Sequence, residues 1–278
     1  MLLLVVIENT KNVKEIIYVL EEIFNNLGYH VAWHHVSPED FKIPNSRPRY
    51  YIVLERGSII SNPQSGMQLP CIHFQPNVSA YWEKMFKEIS KAPRLSIAEM
   101  LLPLDSDYYK DHLIGIGELE LGTHGETEWV GIHADAFAKI GSKRPDMSKI
   151  RKFCESNPSK LMGQWLGERP LRIREKAYYW SIEMRPTEEA CVDLSQGLDR
   201  SPPMKGCIGC FTAGSIPWLV RSQRVISGRE QLAIQGLSLR SMTTGTTDTF
   251  LSNLAGNAMS APCVMAAFSS AMRGAMRS

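Results

Sequence analysis

Apolar positions follow two rhythms along the first third of the chain. Leu2 to Ile7 is an unbroken, β-branched run that stops at Glu8. That is the pattern of a strand buried on both faces inside a parallel sheet. Val13, Ile16, Ile17, Leu20, Phe24 and Leu27 then recur at three- and four-residue spacing, which predicts a helix with one apolar face. Asn12 is placed to cap its start and Gly28 to end it. Tyr29 to Val36 predicts a second strand and Tyr50 to Leu54 a third. Between them, Ser37 to Arg49 is polar, holds three prolines and reads as a loop. Strand, helix and strand in this order indicate an α/β sheet. A strand buried on both faces belongs inside a sheet, and open α/β sheets have more than three strands. The expectation is therefore that the first part of the sheet lies outside this chain.

From Gly57 the rhythm breaks into a proline-rich stretch that reads as a loop-rich insert. Short helices are expected at Tyr81–Ile89, Met147–Cys154, Lys160–Leu166 and Ile173–Ile182, and short strands at Leu113–Leu121 and Glu128–Ile132. Regular features return after Pro203. Ser227 and Glu230 have the spacing of a capping box at the start of a helix reaching Gln235. A helix rich in small residues, Ala258–Met272, is expected to be entered through a turn at Gly256-Asn257. The division expected from these shifts is 1–56, 57–200 and 201–278.

Composition narrows the class. The 278 residues are 44% hydrophobic and 22% charged, which excludes wholesale disorder, collagen and coiled coil. A net charge of +2 excludes a histone-like polycation but not a local basic groove. Met1 to Ile7, the longest apolar stretch, is far below the roughly 20 residues of a spanning helix. It lacks the basic start of a signal peptide, so no membrane partner is expected. The six cysteines are scattered, the usage of reduced thiols in an intracellular protein. Cys207-Ile-Gly-Cys210 has no second ligand pair, so no metal is expected there. His34-His35 reads as part of a strand, and the six tryptophans, without stacking periodicity, read as core.

Three segments carry candidate chemistry. Ile7-Glu8-Asn9-Thr10 ends the first strand. Asp40-Phe41-Lys42-Ile43-Pro44-Asn45-Ser46-Arg47-Pro48-Arg49 leads into the third. Arg229-Glu230-Gln231-Leu232-Ala233-Ile234-Gln235-Gly236 is followed by Gly256-Asn257-Ala258-Met259-Ser260-Ala261-Pro262. In order and spacing they resemble the C-terminal two thirds of a cytosine-5 DNA methyltransferase. Glu8-Asn9-Thr10 resembles that family's Glu-Asn-Val motif, and the second segment its paired-arginine motif. The third segment resembles its late helix and closing Gly-Asn motif. The resemblance is strong over 1–56 and 201–270.

The resemblance implies an α/β, Rossmann-like methyltransferase fold, incomplete here, with an inserted target-recognition region. It implies transfer of a methyl group from S-adenosylmethionine to C5 of cytosine in DNA after the base is flipped out. Glu8 would hold or protonate N3, for which its environment would have to raise its pKa. Arg47 and Arg49 would fix the base O2 and the adjoining phosphate. Asn9, Gly256, Asn257 and Ala258 would lie at the cofactor, and Lys143 and Arg144 are further candidate DNA contacts.

Departures from the family are as informative. Its glycine-rich cofactor loop, acidic ribose-binding residue and Pro-Cys nucleophile all precede Glu-Asn-Val, and only seven residues precede Glu8. No Pro-Cys pair occurs in a suitable strand context, and Pro70-Cys71 follows the arginine motif. Ala233 replaces the arginine of the family's Arg-Leu-Gln-Gly signature, and Leu237-Ser238 its Phe-Pro. The expected chain is a fragment or split subunit without the nucleophile, completed by a second chain that supplies the cofactor loop and catalytic cysteine. The alternative is a catalytically inactive DNA-binding or regulatory relative. The expected location is intracellular, in the nucleus of a eukaryote or the cytoplasm and nucleoid of a bacterium.

Overall fold

The computed structural model describes residues 4–56, 78–89, 91–107, 109–110, 134–198, 202–237 and 246–275. The expected strands at 113–121 and 128–132, Pro70-Cys71, Trp129 and the side chain of Trp82 lie outside these residues. Packing groups the chain into two units. The first comprises Met1–Ile43, Arg47–Arg94 and Met259–Ser278, and the second Pro44–Ser46 and Leu95–Ala258. Residues 78–89 and 91–94 thus group with the first strands, and the chain rejoins them at Met259.

The first unit is built on β1 (Leu4–Asn9), β2 (Tyr29–Val36) and β3 (Arg49–Arg56), in the order β1-β3-β2. The strand positions match the apolar runs, but β1 does not lie beside a parallel strand. It pairs antiparallel with β3, as β2 does. The helical crossover makes β1 and β2 parallel to each other, and the short link after β2 returns the chain between them. Burial follows: Tyr50 to Leu54 on central β3 are all buried, whereas Val5 to Ile7 on β1 are only partly so. Among the described residues, the other edge of β1 has no partner strand.

The predicted first helix opens as a 3-10 turn (Lys11–Glu15) and continues as α1 (Ile17–Asn26). Thr10, not Asn12, stands at its N-cap, without a side-chain capping bond. Gly28 has φ +82, the left-handed residue that stops the helix. Val13, Ile17, Leu20 and Phe24 pack on the sheet face formed by Val5, Ile7, Tyr50, Ile52 and Leu54. Ile16, Val19, Ile23 and Leu27 form a second apolar stripe that remains exposed. The opposite sheet face is covered by α2 (Val78–Ile89) and, from the end of the chain, α8 (Ala261–Ala275).

The second unit holds α3 (Met147–Glu155), α4 (Lys160–Gly167) and α5 (Leu171–Tyr178), close to their expected bounds. The last runs into a π-helical turn at Tyr179–Glu183. An antiparallel sheet follows, β5-β4-β6-β7, with β4 Ala190–Asp193, β5 Met204–Lys205, β6 Pro217–Leu219 and β7 Arg224–Val225. Trp165 and Trp218 stack at its core, 6.5 Å apart and 12° from parallel, with Trp180 buried in the same cluster. The capping box is as expected: Ser227 and Glu230 open α6 (Gly228–Ile234). It packs on α7 (Asp248–Asn257). Among the described residues, no helix is long and apolar enough to cross a membrane, and no group of three or more His, Cys, Asp or Glu is placed to hold a metal ion.

Candidate functional site

The loop between β2 and β3 is locked by its own polar side chains. Ser37 caps the 3-10 turn Pro38–Phe41, and the Asp40 carboxylate accepts the Ser37 N–H at 2.7 Å. The Ser37 hydroxyl in turn accepts the Arg47 N–H at 3.1 Å. Lys42 takes a left-handed φ of 64, after which the Ile43 N–H reaches the Pro38 carbonyl at 3.2 Å. The two arginines are therefore delivered at the mouth of β3 by a constrained turn. Arg47 is buried. Arg49 donates from Nη1 to the Pro48 carbonyl at 2.8 Å, and its Nε lies 3.1 Å from Glu8 Oε1. These side chains are only 17% and 15% exposed, so water screens their attraction incompletely. Glu8 and Arg49, assigned separately from sequence, form one ion pair.

A partly buried polar row runs across the sheet from Glu8. Glu8, Tyr51 and His34 are cross-strand partners on β1, β3 and β2, so they share one face of the sheet. The Tyr51 hydroxyl donates to the Cys263 sulfur on the first turn of α8, beside the Ser260 hydroxyl. Burial pushes the Tyr51 phenol far up, assisted by Cys263 and the Glu8 carboxylate. Burial lowers His34 to about 4, so its imidazole is neutral near pH 7. Burial likewise raises Cys263 to about 11, although the hydroxyls of Ser260 and Tyr51 oppose the shift. Pro262-Cys263 is a Pro-Cys pair, but this thiol is protonated and wholly enclosed, not a nucleophile. The strand assignments of His34 and Tyr51 match the sequence expectation, but nothing in the sequence marked Tyr51, His34 and Cys263 as neighbours of Glu8. The period-2 alternation of β3 puts Tyr51 and Arg49 on one face, but only the strand register puts Glu8 and His34 beside them.

The other candidates are placed differently. Asn9 is exposed, and its Oδ1 accepts the Thr10 N–H at 2.7 Å. Gly256 and Asn257 form the end of helix α7 rather than a turn, and Ala258 follows them. Asn257 Nδ2 donates to the Asn253 carbonyl at 3.1 Å. A Cβ on Gly256 would lie 2.4 Å from the Ala213 nitrogen and 2.5 Å from the Thr212 carbonyl carbon. The glycine is thus required by packing against this chain's own backbone. Lys143 is exposed. Arg144 is committed inward, with Nε 2.6 Å from Oε1 of the buried Glu175. An arginine neutralising an enclosed carboxylate is poorly placed to serve as a free phosphate contact.

The Arg-Glu-Gln segment of α6 is an internal hub. Glu230 Oε1 accepts from Arg224 Nη2 at 2.5 Å and the Leu102 N–H at 2.8 Å, and its Oε2 accepts the Ser227 N–H at 2.8 Å. Burial pushes its carboxyl up, and Arg224 with these donors pulls it back. Gln231 donates to the Ile226 carbonyl at 3.0 Å, and Gln235 to the Ala255 carbonyl at 2.7 Å.

Comparison with known proteins adds to this geometry. The model of the family "C-5 cytosine-specific DNA methylase" matches residues 4–272. The chain is 22% identical over 270 residues to the DNA (cytosine-5-)-methyltransferase DMT5 of Cryptococcus neoformans var. grubii. The match covers 91% of this chain and 11% of that relative, so the chain spans about a ninth of its length. The S. pombe Dnmt2 methyltransferase structure matches at 15% identity and a TM-score of 0.47, covering 98% of this chain and 67% of that one. The Entamoeba histolytica methyltransferase EhMeth matches at 15% identity and 0.42, covering 99% and 62%.

Proposed function

The chain belongs to the C-5 cytosine-specific DNA methylase family, and we propose that its Glu8–Arg49 pair is the base-holding part of methyl transfer to cytosine C5 in DNA. The observation that carries this is the 3.1 Å contact between them at the C-terminal end of β1. Binding groups in open α/β sheets collect at such strand ends. A carboxyl beside N3 and a guanidinium beside O2 complement adjacent edge atoms of one extruded cytosine. In this reading Glu8 meets N3 and Arg49 turns its donors from Glu8 to O2, while Arg47, expected from sequence at the flanking phosphate, is itself buried.

S-adenosylmethionine is the methyl donor this chemistry uses. Among the described residues, the candidates from sequence do not cradle it: the Asn9 and Asn257 side chains are bonded to nearby backbone, and the space beside Gly256 is filled by Thr212-Ala213. The donor site and the thiolate that attacks C6 are accordingly assigned to polypeptide other than these residues. The open edge of β1 and the exposed stripe of Ile16, Val19, Ile23 and Leu27 suit a covering β/α segment. Met265 and Phe268 on α8 are exposed as well.

The test mixes the purified chain with a family segment that carries a glycine-rich loop and Pro-Cys motif, labelled methyl donor and duplex DNA. Label should enter cytosine only when both polypeptides are present, and Glu8→Ala or Arg49→Ala should abolish it. Incorporation that survives both substitutions overturns the assignment. The second reading, an inactive DNA-binding relative, is favoured by the enclosed, protonated Cys263. It predicts duplex binding by the chain and no incorporation in any mixture.

A further inference from the structure

Charge in the second unit is distributed unevenly. The chain as a whole is nearly neutral, at +2. Between 139 and 160, however, Lys139, Lys143, Lys149, Arg151, Lys152 and Lys160 are all exposed. Only Asp146 and Glu155 carry negative charge in that segment. Asp146 is occupied in capping α3, where it accepts the Ser148 N–H at 2.7 Å. Among the described residues, none of the six cations forms an ion pair with a carboxylate.

The fold explains why these charges face outward. Ile150, Phe153 and Cys154 bury one side of α3, with Phe137 before it and Met162 and Trp165 after it, in the same core. The opposite side of α3 carries Lys149, Arg151 and Lys152, and Lys160 opens the next helix. Exposed cations concentrated in one segment repel one another, a cost that a polyanionic partner removes. Serines 148, 156 and 159 stand between them, and Met147 is the one large apolar side chain exposed on α3. A protein partner requires an apolar anchor at the centre of its interface. A surface of charges and hydroxyls whose one exposed large apolar side chain on α3 is Met147 at the helix start matches phosphate groups, which take both cations and hydroxyl donors.

We propose that the outward face of residues 139–160 binds the phosphate backbone of duplex DNA without regard to sequence. The proposal rests on the DNA-directed reading above and adds to it an anchor that is independent of Arg47 and Arg49. It also replaces the Lys143-Arg144 pair expected from sequence, since Arg144 is held by Glu175 while Lys143 stays within the new surface.

The test is fluorescence anisotropy of the full chain on a labelled duplex, from 50 to 200 mM salt. The variants are Lys149→Ala/Arg151→Ala/Lys152→Ala and the charge-preserving Lys149→Arg/Arg151→Lys/Lys152→Arg. Each phosphate contact contributes about 0.9 to the salt slope. The alanine variant should therefore lose a slope of about 3, and over that salt range wild type should weaken roughly 40-fold more than it. The charge-preserving variant should keep the wild-type slope. Thermal unfolding should be the same in all three proteins, because the substituted side chains are exposed. Salt-dependent wild-type binding with an unchanged slope in the alanine variant overturns the anchor and leaves the DNA reading standing. Wild-type chain that binds no duplex at 50 mM overturns both. Binding to poly-glutamate but not to duplex, lost in the alanine variant, assigns the face to an acidic protein and overturns the proposal.

Discussion

Arg49 Nε lies 3.1 Å from Glu8 Oε1, diagonal to the Glu8–Tyr51 register pair of β1 and β3. The pair holds two residues ready for a bound base while keeping either charge from standing alone over a buried tyrosine. Removing both partners should cost less than the sum of the two single losses. Glu8→Ala and Arg49→Ala should each destabilise the chain by about 1 kcal/mol, with a coupling energy of about 0.5–1 kcal/mol. Urea unfolding of both single variants and the double variant measures it. Additive losses would show that the contact contributes nothing.

Stability should depend on pH through Asp248. Burial raises its carboxyl to about 7 in the folded chain, above the ordinary 3.8, although the Gly228 N–H opposes the shift. The folded state then holds a proton that the unfolded state has released. Between about pH 4 and pH 7 this group therefore lowers stability as pH rises, and it has no further effect above that window. Asp248→Asn should remove this part of the slope. The quantity to follow is the difference in urea midpoint between wild type and variant at pH 4.5, 6 and 7.5. A difference that stays constant would rule the effect out.

His34 should act in the opposite sense. Its folded value of about 4 lies below the ordinary 6.5, so the unfolded chain takes up the proton first and stability falls as pH drops from 6.5 toward 4. His34→Gln should be less acid-sensitive than wild type in thermal melts across that range. A variant with the same acid sensitivity contradicts the assignment.

Two glycines separate packing from flexibility. Gly256→Ala places a methyl group 2.4 Å from the Ala213 nitrogen and should cost about 2 kcal/mol or more. Gly167, at the end of α4, meets nothing within 4 Å. Gly167→Ala should stabilise by about 0.5 kcal/mol by restricting the unfolded chain. Denaturant midpoints that move both variants in the same direction would refute this distinction.

Thiol reactivity should rank by enclosure. Cys210 is exposed, whereas Cys154, Cys191, Cys207 and Cys263 are buried. Brief alkylation of the native chain, read by peptide mass spectrometry, should modify Cys210 and spare those four. Rapid modification of Cys263 would place it at an open surface and reopen its candidacy as a nucleophile.

Periodicity and motif order, both local properties, were legible without coordinates. The strand limits at Tyr29–Val36, the capping box of Ser227 and Glu230, the stop at Gly28 and the family relationship all depend on residues close in sequence. Tertiary structure decided what depends on register and on distant neighbours. The run Leu2 to Ile7 has the same composition whether its neighbour is parallel or antiparallel, and only the return of β3 between β1 and β2 chose the latter. Glu8 and Arg49 could each be singled out as chemistry-bearing, but their contact follows from a register that no local pattern encodes. Arg144 looks like any surface arginine until Glu175 is seen buried beside it. Gly256 looks like a turn until Thr212-Ala213 is found pressed against it. In each case the deciding atoms lie far along the chain, where short-range sequence patterns carry no information and close packing does.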